Sequence, residues 1–568
     1  MGAAALAAMG FGAGFQARNA RLQAATTGET AGLPPDTALA AENREDRVSP
    51  GENQDVVLAQ RKRVMGRLRS LESVKRVALV MRPLVERALE QPSVQEDLRV
   101  LAGAAGMRVD RYRDYFASKQ CADLLLESGG DPNARSVSDA IGVAQFMVGT
   151  GRAVGLRVDI GASNALSRRI AALEKELEAL AEQPASWSRP VPLALAGVVP
   201  TVASSGTFNG APGGEGSQVP APAATSVEGV WTRDQWIAYR RQQRSALVST
   251  RRHVDHRFDP ARAIPAQTRY LLKLTRKYGG VDWALQAYHG GEGGASKTMR
   301  LFLSEAPRLA SRGGSWVPYG DFYARVSPTA TPASFSYLYG RSDDHRYYWW
   351  KVLMAERALD LYRKDPEQFE REWRALHPGL SSDAVYYPDP APFQFEDAAA
   401  LRGGYLDGSL VPLPANAAAL GLKTVNLAAL EPGSAGVHKG LRPEAMGALL
   451  RIVAQYRSSG GRDPVAALAL VQSNAYRRRW DARYPDPPLE AGVPRDPEFH
   501  TTGLTFDLKR PEREWDRKVL QYALGRLSDT LRISWRSERE AGALRYHVVV
   551  NPAFKSEMVD YYRRAVRD

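Results

Sequence analysis

The stretch 125–156, LLESGGDPNARSVSDAIGVAQFMVGTGRAVGL, constrains this chain more than any other. An apolar run with helical character, residues 115–126, ends in Glu127-Ser128. Paired glycines and Asp131-Pro132 follow at once, residues that stop a helix and turn the chain. A second apolar run then carries Gln145. The pattern predicts a helix that halts at a carboxylate.

Two later segments extend it. DHRFDPARAIPAQTRYLLKL (255–274) contains a DxRxDP pattern, and AYHGGEGG (287–294) contains Ala287-Tyr288. With Glu127-Ser128 and Gly142-Val143-Ala144-Gln145-Phe146-Met147 they make four ordered landmarks. This set resembles the soluble-type, goose-lysozyme-like lytic transglycosylases of bacterial cell walls. That family has Glu-Ser at a helix end, GxxQxM, DxRxDP, and Ala-Tyr-Asn-x-Gly. His289 stands here in place of the Asn and reads as an ordinary structural side chain.

The resemblance implies an all-α lysozyme-like domain that cleaves the MurNAc-GlcNAc β-1,4 bond of peptidoglycan. Most glycosidases use two carboxylates. This family manages with one, because the sugar's own C6 hydroxyl attacks and leaves 1,6-anhydroMurNAc ends. Glu127 is then the catalytic acid and afterwards the base, with no cofactor. Ser128, Gln145 and Tyr288 are implied as substrate-binding residues that orient Glu127 or the acetamido group. The alternative for Glu127 is a capping or surface glutamate.

A second constellation lies near the C-terminus. FHTTGLTFDL (499–508) and LRYHVVVN (544–551) alternate like strands. His500, Gly503, Asp507 and His547 resemble the zinc D-Ala-D-Ala peptidases, whose pattern is His, Gly, Asp and then a distant His. The resemblance implies an α+β fold with Zn2+ on His500, Asp507 and His547 and one open coordination position. Two departures stand against catalysis. The family's general-base Glu, three residues before the last His, is Leu544 here, and Glu538 or Glu540 could substitute only through a different backbone path. The family's upstream Arg aligns with Gln472, although Arg477, Arg478 and Arg479 lie near. An active peptidase, a wall anchor, a zinc-stabilised fold, and turn residues without metal all stay open.

The remaining sequence frames these motifs. At 568 residues the chain is too long for one core. The expected architecture is multidomain: an all-α lysozyme-like transglycosylase domain with a helical insertion, followed by an α+β zinc-peptidase-like domain. Residues 1–53 read as a disordered or signal-like N-terminus. Residues 54–162 and 254–377 form the two parts of the transglycosylase domain, the second with a helical extension. The extension includes 336–363, read as one long helix in which Tyr347, Trp350, Leu353 and Leu359 pack. Residues 163–253 are the insertion: an amphipathic helix with Leu166, Ile170, Leu173, Leu177 and Leu180 in one stripe, a Pro/Gly-rich linker over 184–225, and a basic helix over 231–252. A tolerated surface insertion without a role is its plainest reading. Residues 378–439 read as a connection, and 440–568 as the peptidase-like domain.

Net charge is +13, which favours polyanionic partners without choosing among them. No zinc-finger spacing or ribonucleoprotein motif suggests nucleic acid. Cys121 is the only cysteine, so no intrachain disulfide is possible. No apolar stretch is long enough to span a membrane. The expected setting is the periplasm or cell envelope, with glycan strands and stem peptides as partners. The competing class is a non-catalytic wall-binding protein with degenerate enzyme domains.

Overall fold

The computed structural model describes residues 71–191, 230–307, 317–375, 382–387, 389–424, 436–484, 499–540 and 543–567. The stretch expected to be disordered or signal-like (1–53) and most of the expected Pro/Gly-rich linker lie outside them. The chain divides into one compact unit, Lys75–Tyr270, and a second made of Met1–Val74 and Leu271–Asp568. The described residues are mostly helical, with a small mixed sheet in the C-terminal part.

In the unit Lys75–Tyr270, a π turn (Val77–Met81) leads into α1 (Arg82–Leu89) and α2 (Pro92–Ala104). Pro92 opens α2 at a position whose N–H has no helical partner to lose. α3 (Val109–Ser128) is the centre of the unit, burying Phe116, Cys121, Leu124 and Leu125 together with the polar Gln120 and Asp123. A loop leads from α3 to α4 (Val148–Ala153). Its Gly142 has φ 81°, and a Cβ there would stand 1.8 Å from the Arg257 carbonyl oxygen. Two backbone segments therefore touch where only glycine fits.

The insertion begins with α5 (Ile160–Ala181), capped by the Asp159 carboxylate accepting from the Ala162 N–H. Of the expected stripe, Ile170 and Leu173 are buried and Leu166, Leu177 and Leu180 half-buried. The chain does not pass straight into linker. β1 (Ser188–Pro190) pairs antiparallel with β2 (Val230–Thr232), with Arg189 opposite Trp231. Trp231, Trp236 and Tyr239 cluster with Leu180 and Trp187, an aromatic anchor that outweighs the local Pro content. α6 (Arg233–Val254) starts with a capping box between Thr232 and Gln235. Arg240–Glu176 and Arg244–Glu174 ion pairs link α6 to α5 at 2.9 and 2.5 Å. Such solvent-facing pairs contribute about 0–1 kcal/mol each, so apolar packing carries the hairpin.

α7 (Pro260–Tyr278) returns against α3. Gln120 Nε2 donates to Gln267 Oε1 (2.9 Å), Gln267 Nε2 to Asp123 Oδ2 (2.8 Å), and Thr268 Oγ1 to Gln120 Oε1 (3.0 Å). This chain of buried polar groups satisfies itself and fixes the two helices in one register.

The second unit continues with α8 (Val281–Gly290), α9 (Glu292–Glu305), α10 (Tyr319–Arg325), α11 (Pro332–Tyr339), α12 (Asp343–Lys364) and α13 (Pro366–Ala375). Trp283, Phe322, Tyr323 and Trp350 interlock in its core. Tyr347, Trp350 and Leu359 are buried as expected, and Leu353 half-buried. The stretch 336–363 is two helices rather than one. The Gly340 N–H closes α11 on the Ser336 and Tyr337 carbonyls, and Ser342 restarts the chain in an extended conformation.

Next come α14 (Ser382–Tyr386), α15 (Ala398–Leu406), β3 (Val411–Pro412), β4 (Leu422–Thr424), β5 (Gly440–Leu441), α16 (Pro443–Ser458), β6 (Val465–Ala469) and α17 (Asn474–Arg483). β7 (Thr505–Lys509), α18 (Glu514–Asp529), β8 (Ile533–Glu540), β9 (Ala543–Val550) and α19 (Lys555–Ala565) complete the chain. The main sheet runs β4-β6-β7-β9-β8, with β4 parallel to β6 and the other neighbours antiparallel. The stretch read as a connection thus contributes a sheet strand and α14. Phe335 of α11 packs on Trp515 and Tyr522 of α18, and the Tyr323 hydroxyl donates to Asp529 (2.7 Å). The helical extension therefore shares its packing with the sheet-bearing part.

Replacing Gly142 by Ala should destabilise the protein by about 2–4 kcal/mol, since left-handed strain and a backbone clash combine. Gly149→Ala in α4, where an added Cβ meets nothing within 4 Å, should be neutral or slightly stabilising. Denaturant melts of both variants test this, and equal midpoints would contradict it.

Candidate functional sites

Three of the four landmarks meet in the unit Lys75–Tyr270. Glu127, half-buried, sits in the last turn of α3, which the Gly129 N–H closes on the Leu125 carbonyl (3.0 Å). The Ser128 hydroxyl lies 2.7 Å from the Val143 carbonyl and 3.2 Å from that of Leu124, and accepts from the Gly130 N–H (3.1 Å). It fastens the end of the helix to the loop. Gln145 has φ 49°, and its Nε2 donates to the Gly142 (2.8 Å) and Ala134 (3.2 Å) carbonyls. Both side chains hold backbone, which makes them positioning residues in this structure.

The DxRxDP segment supports this loop from beneath. Arg257 and Asp255 form a buried two-point ion pair, Nε–Oδ1 3.0 Å and Nη2–Oδ2 2.8 Å. Arg257 Nη1 also donates to the Phe146 carbonyl (3.2 Å), and the Ser163 hydroxyl to Asp255 Oδ2 (2.9 Å). The fourth landmark belongs to the other unit. Tyr288 is half-buried near the end of α8, and His289 stacks on Tyr348 at 3.9 Å between ring centres. That stacking accounts for His289 as a packing residue.

The second site lies on one face of the C-terminal sheet. Alternation puts Tyr546 on the face toward α18, where Gln521 donates to its hydroxyl (3.1 Å), and Asp507, Arg545 and His547 on the opposite face. Asp507 and His547 are directly opposed on β7 and β9. His500 arrives from a 3-10 turn, Phe499–Thr502, ended by Gly503 at φ 70°. An L residue rarely adopts that conformation, so the glycine lets the chain reverse between His500 and Asp507. α14 also covers this face, with Ala384 and Tyr387 packed against Phe499, Leu504 and Val549.

The three expected ligands are brought together and buried, with ligand atoms within 4.8 Å of one another. His547 Nδ1 is 2.8 Å from Asp507 Oδ1, and His500 Nε2 is 3.1 Å from Asp507 Oδ2. Four further residues complete the centre. Asp383, on α14, lies 3.1 Å from His547 Nε2. Arg536 binds Asp383 and Glu538, each at 2.8 Å. Arg545 binds Asp507 (2.5 Å) and Glu538 (2.6 Å). Glu538 Oε1 lies 3.7 Å from His547 Nδ1.

This geometry changes the reading of Leu544. On a regular strand, a residue three places before His547 projects from the opposite face. The nearby carboxylate comes from the next strand, where Arg536 pairs with His547 and Glu538 with Arg545. The cations are likewise Arg536 and Arg545. Arg477 is bound to Asp481 and Arg478 to Glu396 instead. The signal for Arg536 and Glu538 was the alternation in ISWRSERE, masked by its high charge.

Electrostatics binds the cluster tightly. Burial alone would depress the His547 imidazolium, but the Asp383 and Asp507 carboxylates outweigh it and raise its pKa to about 10. Burial opposes ionisation of Asp383 and Asp507, yet His547 and Arg536 bring Asp383 down to about 2, and the two imidazoles hold Asp507 well below the usual range. Asp383, Asp507 and Glu538 give three negative charges against two from Arg536 and Arg545, and the proton on His547 supplies the balance. A divalent ion can take the place of that proton. Two imidazoles and a carboxylate suit zinc, and Asp383 on the far ring nitrogen is the outer carboxylate such sites use.

No protein-family model, no curated protein and no solved structure matches this chain.

Metal analysis after zinc loading and dialysis should find about one zinc per chain, lost in His500→Ala. Asp383→Asn should weaken the affinity by about 10–100-fold. Zinc content unchanged by His500→Ala would eliminate this centre.

Proposed function

We propose that this protein remodels peptidoglycan as a lytic transglycosylase. It would cleave the MurNAc-GlcNAc β-1,4 bond and leave 1,6-anhydroMurNAc ends. The observation that carries the reading is the helix end at Glu127-Ser128, tied through Ser128 to the Gly142–Met147 loop and buttressed by Asp255–Arg257. Sequence motifs far apart in the chain thereby converge on the helix end that carries the half-buried Glu127.

The chemistry needs one group to work twice. Glu127 gives its proton to the glycosidic oxygen as the bond to C1 breaks. The resulting carboxylate accepts the proton of the C6 hydroxyl as that oxygen bonds to C1, so the acid is regenerated and no water is consumed. A rigid loop helps because proton transfer requires hydrogen-bond distance. The periplasm or envelope, where the polymer lies, is the corresponding location. None of the described helices is long and apolar enough to cross a membrane.

We read the C-terminal α+β part as zinc-peptidase-like and suited to engaging the stem peptide. When bound, zinc would supply Lewis-acid activation of water. Asp507, His500 and His547 would hold it, and Glu538 is the carboxylate beside them. Two features favour a stabilising over a hydrolytic role. All three donors are buried, and the Glu538 carboxylate is tied up in ion pairs with Arg536 and Arg545. A non-catalytic wall-binding protein is the competing class, and the test below separates the two.

Glu127→Gln should keep the wild-type melting curve and release anhydro-muropeptides from purified sacculi about two to four orders of magnitude more slowly. Near-normal release would remove Glu127 from the mechanism. No release by the wild type would favour the binding protein.

A further inference from the structure

The helical insertion walls a cavity of about 500 Å³ that the reaction above leaves unused. It lies between the loop after α3, the first half of α5 and the end of α6. Asn133, Arg135, Asn164, Ser167, Arg168 and Arg251 line it. Arg251 is 5% exposed, and its guanidinium lies 3.9 Å from the centre of the Phe258 ring. Its Nη2 donates to Asn133 Oδ1 (2.5 Å) and its Nη1 to Ser167 Oγ (3.3 Å). Arg135 donates to the same Ser167 Oγ (3.2 Å) and to Asn164 Oδ1 (3.3 Å).

Two guanidiniums therefore converge on one hydroxyl, and every hydrogen-bond partner they have among the described residues is neutral. Arg251 Nε is buried with no partner at all. The acids at the rim do not balance this charge. Glu174 is held by Arg244 through two bonds, and Asp139 is exposed on the loop. Burial and the charge of Arg135 lower the Arg251 pKa to about 10, an effect that the carboxylates of Glu174 and Asp255 offset only in part.

The cavity also shares a part with the Glu127 site. The Ala134 carbonyl, between Asn133 and Arg135, accepts from Gln145 Nε2 (3.2 Å) and from the Gly142 N–H (2.9 Å). One loop thus positions both.

We propose that this cavity is an anion site that binds a carboxylate of the substrate polymer, and that recognition of acidic substituents is the role of the insertion. The proposal rests on the peptidoglycan reading for the source of that carboxylate, which is the stem peptide's own or, where muramic acid carries no peptide, that of its lactyl ether. A guanidinium fork matches a carboxylate at two points, and the volume exceeds that of a small inorganic ion.

Calorimetry on the full chain would compare N-acetylmuramyl dipeptide, the same fragment with its free peptide carboxyl amidated, and inorganic phosphate. The dipeptide should bind, and amidation should weaken it by about tenfold or more, the scale of one charged hydrogen bond. Arg135→Gln should have a similar effect, and that exposed side chain can be changed without opening the core. Arg251→Gln should abolish binding, with its melting curve checked because the residue is buried. Equal binding of the amidated fragment, indifference to Arg135→Gln, or phosphate binding as tightly as the dipeptide would overturn the proposal. The two readings fail separately. Carboxylate-dependent binding without anhydro products would leave this site standing and the activity refuted, and anhydro products with no effect of Arg135→Gln would do the reverse.

Discussion

The buried Asp255–Arg257 pair is the contact on which the Glu127 region depends. Removing two charges from water is costly, and their attraction offsets that cost only when the geometry is good and the remaining hydrogen-bonding groups are satisfied. Here the pair is joined at two points, Ser163 donates to the carboxylate, and the guanidinium reaches the Phe146 carbonyl. Its output is a fixed loop. The Arg257 backbone presses on Gly142, Gln145 and Ser128 tie the loop on either side, and the end of α3 is held against it. Loss of either charge would strand the other in the interior, a penalty of about 3–5 kcal/mol by the usual scale.

The protein holds buried charge in two opposite ways. On the C-terminal sheet, three carboxylates meet two arginines, leaving a balance that the proton on His547 or a cation can fill. In the α5–α6 cavity, Arg135 and Arg251 hydrogen-bond only to neutral groups among the described residues. The first arrangement suits a positive ligand and the second a negative one, and neither follows from the overall charge of the chain.

Much of this organisation was legible in the sequence because it is local. The helix ending at Glu127, the amphipathic stripe of α5 and the strand carrying Asp507 follow from periodicity and from the residues that break it. His500, Asp507 and His547 could be grouped by spacing. Residues whose meaning depends on pairing stayed hidden. Asp383 sits on a five-residue helix in a Pro-rich stretch that reads as connection. Glu538 and Arg536 enter the centre only through the β8–β9 register, which no spacing rule encodes. Ser128 and Gln145 were expected to orient Glu127 or the substrate, and their hydrogen bonds to the loop backbone came into view only with the fold. The Arg135–Arg251 convergence joins residues 116 positions apart in number and has no linear signature. The break at Gly340 was missed because apolar residues recur at helical spacing on both sides of it.

The β8–β9 hairpin carries a consequence for inheritance. Side chains alternate faces with a period of two, so a slip of one residue would turn Arg536, Glu538, Arg545 and His547 toward the helices and Trp535, Tyr546 and Val548 away from them. The ionisable residues therefore act as an alignment key for the sheet whether or not they ever touch a metal. Descendants of this chain that had abandoned any chemistry here would still be under pressure to keep them, so their persistence in a lineage would record faithful folding as much as activity.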